Sequence, residues 1–332
     1  MKRKHVLLVI FILLVLSGCS RGEALGTDTL IDNSLESIEL GEINKYDIDV
    51  TLDANNKMYY GKQTTTYINN TDEILEEIYF HIYPNAFETA EKSPILFSRG
   101  IHDPINYEGG YINLIEISLN EENLEYEILG EDKTILYIKL NEPLIPDTEI
   151  DIYMEYEVKL PSSKDRFGYG DRVINAGNWY PIACVYDEDG WNLEPYYEIG
   201  DPFYSDVSDY KVRITTDKDI IIASSGNILT DEILEDKRTY QIEGRLLRDF
   251  AWVASKNFKI KEAKVDDTIV KLYYLDGSTS TVLHRPAQRL RCTAQALRTF
   301  EQVPSDGRRM LRLGRTAPSR STPTQRLESP QP

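Results

Sequence analysis

The strongest constraint on the fold of this chain is a two-residue alternation of apolar and polar side chains. In residues 46–52, with the sequence YDIDVTL, every second side chain is apolar and those between are Asp or Thr. This period places the apolar side chains on one face of a β-strand and the polar ones on the other. The pattern recurs in residues 59–68, 78–83, 112–119, 135–140, 150–158, 210–215, 238–242, 249–254 and 269–275. Turn-forming sequences separate many of these segments, and the region has no convincing helical period. The pattern predicts an all-β domain at 44–278, with two sheets packed around one core.

Residues 1–18 have the features of a bacterial lipoprotein signal peptide. A basic start precedes an uninterrupted apolar run at 6–16, which is shorter than the roughly 20 residues of a membrane-spanning helix. Small residues then precede Cys19, which fits a lipobox, so we expect Cys19 to be lipidated and 19–43 to form a tether. The alternative is an ordinary cleaved signal in which Cys19 has no role.

The charge of the chain argues against nucleic acid as a partner. The formal net charge is −18, which disfavours binding to phosphate backbones. Residues 279–332 differ in composition, because they carry ten of the nineteen arginines and no lysine. We predict that this Arg- and Pro-rich tail is disordered or not native to the protein. A basic arm that binds an anionic polymer is the alternative.

The alternation fails between residues 160 and 206, where the chain is dense in Gly, Pro, Asp and aromatic residues. Long irregular connections of this kind are usually functional. The ordered motifs here and nearby are NWYP at 178–181, DEDGW at 187–191, GDPFYSD at 200–206, DYKVRIT at 209–215 and RDFAWVAS at 248–255. With the hairpin pattern at 46–68 and YPNAF at 83–87, they resemble bacterial zinc aminopeptidases of the membrane alanyl aminopeptidase (gluzincin) family. The resemblance covers about residues 46–275 and implies that family's saddle-like N-terminal β-sandwich domain.

In that family the chemistry lies in a following helical domain, where an HExxH helix holds zinc and a GxMEN loop grips the substrate's amine. Neither motif occurs in this chain. The histidines are His5, His81, His102 and His284, and none stands four residues from another. We therefore predict no catalytic residue, metal ligand or cofactor in this chain, although the intact family uses zinc. The sequence leaves open whether the chain takes part in an enzyme.

The resemblance also suggests residues near a substrate cleft, since the family's N-terminal domain borders it. The candidates are Tyr180, Trp191 and Asp201, although core packing is the stronger interpretation for Trp191. We interpret His81 as a structural or surface residue, Cys184 as a buried small residue, and the acidic residues 187–189 as a solvated turn.

These features together predict a lipid-anchored domain on the extracytoplasmic face of the cell membrane. Its expected partners are the membrane, through the lipid on Cys19, and peptide substrates or a catalytic domain. The expected function is that of the N-terminal domain of a zinc metallopeptidase, inactive alone. The alternative is a non-catalytic cell-surface module that binds a peptide or a protein.

Overall fold

A computed structural model describes residues 42–91, 106–197, 203–265 and 268–276. The strands are β1 Lys45–Asp53, β2 Met58–Ile68, β3 Leu75–His81, β4 Tyr111–Leu119, β5 Glu122–Asn123, β6 Tyr126–Leu129, β7 Ile135–Leu144, β8 Glu149–Lys159, β9 Phe167–Tyr169, β10 Ile174–Ala176, β11 Ile182–Ala183, β12 Tyr186–Asp187, β13 Gly190–Trp191, β14 Ser208–Asp217, β15 Ile221–Ser224, β16 Asn227–Leu234, β17 Lys237–Leu247, β18 Trp252–Ser255, β19 Phe258–Val265 and β20 Thr268–Leu275. A 3-10 helix, Tyr83–Phe87, follows β3. Among these residues there is no α-helix, and so no helix that could cross a membrane.

An eight-stranded sheet, here called the large sheet, has the strand order β16-β17-β14-β1-β2-β8-β4-β5. Two four-stranded sheets are ordered β15-β18-β10-β9 and β11-β3-β7-β6, and β12-β13 and β19-β20 form two-stranded ribbons. Buried side chains of the large sheet and of both four-stranded sheets belong to one hydrophobic core. The all-β, sandwich-like fold class is thus confirmed, but the second layer is divided into two sheets.

The two-residue alternation determines which side of the large sheet is buried. In β1 the apolar side chains lie in the core, while Asp47 and the other polar residues between them lie on the outer face, exposed or partly exposed. The outer face is stabilised by cross-strand charges, including a contact of Arg213 in β14 with Asp49 in β1. Lys62 in β2 pairs with Glu155 in β8 at 2.8 Å. Such exposed pairs contribute little stability individually, so burial of the inner face holds the sheet together.

A close approach between β2 and β8 fixes the side chain of Tyr156, which helps to position the candidate site. A Cβ atom on Gly61 would lie 2.2 Å from Cε2 of Tyr156, so only glycine leaves room for that ring. The Tyr156 hydroxyl in turn donates to Oε1 of the buried Gln63 at 3.3 Å.

Several predicted boundaries need correction. The segment 160–206 contains the short strands β9 to β13, which are too short to show an alternation. The strand predicted at 249–254 begins at Trp252, because Asp249 and Phe250 lie in the connection before it. The predictions for 1–18 and 279–332, and most of the tether, lie outside the described residues.

Candidate functional site

The NWYP motif lies between β10 and β11 and is held by side chains of β2. Asn178 adopts a left-handed conformation, with φ of 53°, which turns the chain. The Tyr59 hydroxyl donates to the carbonyl of Trp179, and Nε2 of Gln63 donates to the carbonyl of Pro181 at 2.8 Å. The backbone of the motif is therefore fixed against the inner face of the large sheet.

The side chains of the same motif bind the connection between β17 and β18. Nε1 of Trp179 donates to the carbonyl of Phe250 at 2.8 Å. The Tyr180 hydroxyl donates to Oδ1 of Asp249 at 3.2 Å, and Nδ2 of Asn178 donates to Oδ2 of the same carboxylate at 3.3 Å. NWYP and RDFAW, about 70 residues apart in sequence, thus form one buried unit, which we call the Asp249 cluster.

The carboxylate of Asp249 sits in a partly dehydrated environment. Burial raises the pKa of the Asp249 carboxyl, and this outweighs the opposing effect of hydrogen bonds from the Phe250 backbone and from Tyr180. The Tyr180 hydroxyl oxygen also lies 3.0 Å from that of Tyr210 in β14. Burial raises the pKa of Tyr180 well above its ordinary value, so this tyrosine stays neutral and serves as a donor.

A second polar group lies where the segment before β14 meets the end of β17. Nη1 of Arg248 donates to the carbonyl of Ser205 at 2.8 Å, and the Ser205 hydroxyl donates to the carbonyl of Arg248 at 2.5 Å. Loss of hydration raises the pKa of the Asp206 carboxyl, and Arg248 opposes this rise. Burial also raises the pKa of Tyr204, beside the carboxylates of Asp187 and Asp206. This second polar group can hold charge at the surface, but its contacts do not form the geometry of a catalytic site.

The three residues predicted near a substrate cleft have different positions. Tyr180 is fully buried within the Asp249 cluster. Trp191 is partly exposed in β13 and packs on Tyr79 and Tyr186, with ring centroids 5.3 Å away in each case. Asp201 lies outside the described residues, as does Cys19. The assignment of the three residues to a cleft therefore stays a prediction.

The remaining candidates behave as ordinary structural residues. His81 ends β3 and is buried, with its ring stacked on that of Tyr83 at a centroid distance of 4.6 Å. Cys184 is buried, and burial raises the pKa of its thiol, which disfavours the reactive thiolate. Asp187 ends β12, and Glu188 and Asp189 form the turn to β13, where the backbone N–H of Asp189 donates to Asp187. His102 lies outside the described residues.

The described residues do not fit a zinc site. No three His, Cys, Asp or Glu side chains among them are placed to share a metal ion. The dehydrated imidazole of His81 belongs to no such group among the described residues, and a structural zinc site usually has four ligands. No step of metal chemistry is therefore assigned to these residues.

Sequence reasoning missed Asp249 and Arg248 as members of a polar arrangement. Both belong to the RDFAW motif, in which the alternation assigns the residues from Asp249 onward to a strand and not to a connection. The partners of Asp249 are distant in sequence, and no local pattern marks them. A partly buried carboxylate of this kind is found only once the fold is known.

Comparisons with known proteins give results only at the level of structure. No protein-family model matches the chain, and no curated protein matches it. A mutant of a two-domain M1 zinc metallopeptidase bound to L-tryptophan is similar, with 15% identity, a TM-score of 0.45, and coverage of 75% of this chain and 52% of that one. An M1 zinc metallopeptidase from Deinococcus radiodurans is 14% identical, with a TM-score of 0.44 and the same coverage. The similar structures are M1 zinc metallopeptidases. This chain spans about half the length of those that it matches, as the 52% coverage shows.

Proposed function

We propose that this chain is the N-terminal β-domain of a zinc aminopeptidase-type protein, anchored by lipid on Cys19 at the extracytoplasmic face of the cell membrane. In this proposal the domain borders the peptide substrates of a catalytic domain, with which it forms the working enzyme. The domain itself positions and encloses the substrate, and its described residues contain no group of side chains placed to bind zinc. Nucleic acid is not a partner.

The observation that carries the proposal is the Asp249 cluster. Two of the motifs that resemble the family, NWYP and RDFAW, hydrogen-bond to each other although they lie far apart in sequence. Chance matches scattered over an unrelated chain would have no reason to meet. Their meeting supports a shared structural role for these motifs, and hence the resemblance, while the activity itself rests on the family analogy alone.

The full chain is expected to show no aminopeptidase activity. The reason is that HExxH is absent, so no helix presents two imidazoles and a general base to zinc. The measurement is hydrolysis of aminoacyl chromogenic substrates by the purified chain with added zinc, compared with a sample treated with a chelator. Turnover that disappears with the chelator would overturn the assignment of an inactive domain.

The DNA after codon 275 provides an independent check of the family. Read in all three frames, it is expected to encode GxMEN and HExxH in a frame other than that of residues 279–332. If neither motif appears in any frame, the family proposal fails and a non-catalytic binding module becomes the better account.

Replacement of Cys19 by alanine is expected to release the protein from the membrane fraction. Two acyl chains anchor a protein stably, and this variant has no thiol at position 19 to receive them. The measurement is the share of protein in membranes and in the medium, together with incorporation of a labelled fatty acid. Cys184→Ala is the matched control, because Cys184 is buried and should leave the anchor intact. Equal membrane retention and equal label in both variants would contradict lipidation at Cys19.

A further inference from the structure

Three charged side chains form a row across the outer face of the large sheet. Asp47 in β1 lies beside Lys211 in β14, and Lys211 lies opposite Glu243 in β17. All three are exposed, whereas the residues that follow Asp47 and Lys211, Ile48 and Val212, are buried. Neighbouring strands lie about 4.8 Å apart, so one cation stands between two carboxylates on adjacent strands. We call these three residues the charged row.

The charged row lines two cavities in the outer face of the large sheet. The larger cavity has a volume of about 540 Å³, and the smaller one has a volume of about 300 Å³. All three residues of the row belong to the lining of both cavities. Small-molecule sites commonly have about 300–1,000 Å³ and a few convergent polar groups. The row is therefore placed where a small polar ligand has room to bind.

The charges of the row are available to a ligand. None of Asp47, Lys211 and Glu243 has an ion pair within 4.0 Å among the described residues, although opposite charges stand on adjacent strands. Their side chains therefore extend into solvent without binding each other directly.

The other charged side chains around the two cavities already have partners. A ligand that enters either cavity thus finds its uncompensated charges in the charged row. The partnered contacts are Arg213 with Asp49, Arg245 with Asp209 at 3.8 Å, Lys45 with Glu149 at 3.9 Å, and Asp151 with the Thr66 hydroxyl at 2.6 Å.

A bulge adds an apolar wall to the smaller cavity. The ladder between β16 and β17 shifts between Ile228 and Thr230, so Leu229 has no partner residue in β17. Bulges redirect side chains in this way. Leu229 is 56% exposed and lines the smaller cavity together with Glu243. An aliphatic chain bound beside Glu243 would therefore contact Leu229.

The order of charges in the row selects the ligand. A simple anion would be repelled by the two carboxylates, and a simple cation would be repelled by Lys211 between them. A neutral amino acid would compensate Lys211 and only one of the carboxylates. A carboxylic acid with two ammonium groups compensates all three charges. Lysine is such a molecule, and its flexible four-carbon stem lets the second ammonium group reach an acid two strands away.

We propose that the charged row binds a free basic α-amino acid of the lysine type. The α-ammonium group binds Asp47, the carboxylate binds Lys211 and the side-chain ammonium group binds Glu243, while the stem packs on Leu229. This site goes beyond the proposed function as a peptidase domain and does not depend on it, because it shares no residue with the Asp249 cluster.

The test is isothermal titration calorimetry of the full chain in detergent with L-lysine at low salt. Saturable binding that weakens with added salt is expected. Lysine amide lacks the carboxylate and Nα-acetyl-lysine lacks the α-ammonium group. Each is expected to bind about tenfold more weakly than lysine, because each loses one charge-assisted hydrogen bond.

A substitution in the row separates recognition of the carboxylate from a general charge effect. Lys211→Gln is expected to weaken binding of lysine about tenfold and not to weaken binding of lysine amide, which has no carboxylate for Lys211 to bind. The matched control is Lys139→Gln. Lys139 is also exposed within a strand and lies opposite an acid, Glu77, but it lines neither cavity. Binding of both ligands should be unchanged in this control.

Absence of saturable lysine binding would overturn the proposal. Equal binding of glycine and lysine would also overturn it, because glycine has no second ammonium group for Glu243. The same loss of affinity for lysine and for lysine amide in Lys211→Gln, or an equal loss in Lys139→Gln, would show that only the net charge of the surface matters. Either result would remove Lys211 as the carboxylate-binding group and the proposal with it.

Discussion

Replacement of Trp179 by alanine is expected to lower the free energy of unfolding by about 3–5 kcal/mol. Trp179 is fully buried and its ring contacts those of Tyr59, Tyr180 and Trp252 at centroid distances of 5.6, 5.1 and 5.8 Å. Loss of the indole would leave a cavity among these rings and would remove the donor to the Phe250 carbonyl. Denaturation in urea, followed by circular dichroism, measures the change.

The tryptophans of this chain provide matched controls. Trp252 is also buried, but its indole nitrogen has no hydrogen-bond partner among the described residues. Trp179→Phe should therefore cost about 1 kcal/mol more than Trp252→Phe, which loses packing alone. Trp191→Ala should cost less than Trp179→Ala because Trp191 is partly exposed. An equal loss in Trp191→Ala and Trp179→Ala would contradict the larger contribution that burial gives to Trp179.

Acidification from pH 7 to pH 4 is expected to destabilise the domain through His81, and His81→Leu should remove that part of the loss. Burial lowers the pKa of His81 from 6.5 to about 4, with a smaller opposing effect of Asp132. Neither ring nitrogen has a hydrogen-bond partner among the described residues, so the folded domain holds the neutral ring. At about 1.4 kcal/mol per pKa unit, the expected contribution is about 3 kcal/mol.

The direction of this pH dependence follows from whether the folded or the unfolded chain binds the proton. Below pH 6.5 the unfolded chain binds a proton on His81 and the folded domain does not. The free energy of unfolding therefore decreases as the pH is lowered. Below a pH of about 4 the folded domain also accepts the proton, and the loss levels off. The carboxyls of Asp206 and Asp249 act in the opposite direction, because their raised pKa values favour folding as the pH falls.

The comparison with His81→Leu separates these effects, since the two carboxyls are present in both proteins. Free energies of unfolding are measured in urea at several pH values between 7 and 4. The curve of the variant should be flatter, whatever its stability at pH 7. Parallel curves for the wild type and the variant would show that His81 is not the responsible group.

The strands were predictable from the sequence wherever one face of a strand is buried and the other is exposed to solvent. β1 and β2 match the alternation closely, because each lies inside the large sheet with one solvated face. β16 was missed because it is exposed on both faces, so its sequence has no need to alternate. β9 to β13 were missed because strands of two or three residues are too short for any period.

The candidate site was less predictable than the fold. The motifs were found in sequence, but their meeting at Asp249 depends on contacts across about 70 residues. Burial of Tyr180 was also not evident, because a tyrosine in an irregular segment can equally face a cleft. The family resemblance suggested that these residues matter, whereas only the packing shows that they hold two connections together.

The parallel pairing of β1 with β14 has a consequence for how the protein matures. Arg213 and its partner Asp49 are separated by 164 residues, so the centre of the large sheet joins an early and a late part of the chain. During synthesis, β1 must remain without this neighbour until β14 has been made. Such distant pairing slows folding and prolongs the exposure of apolar strands. A nascent domain of this topology therefore has to be kept from aggregation until most of it has been synthesised.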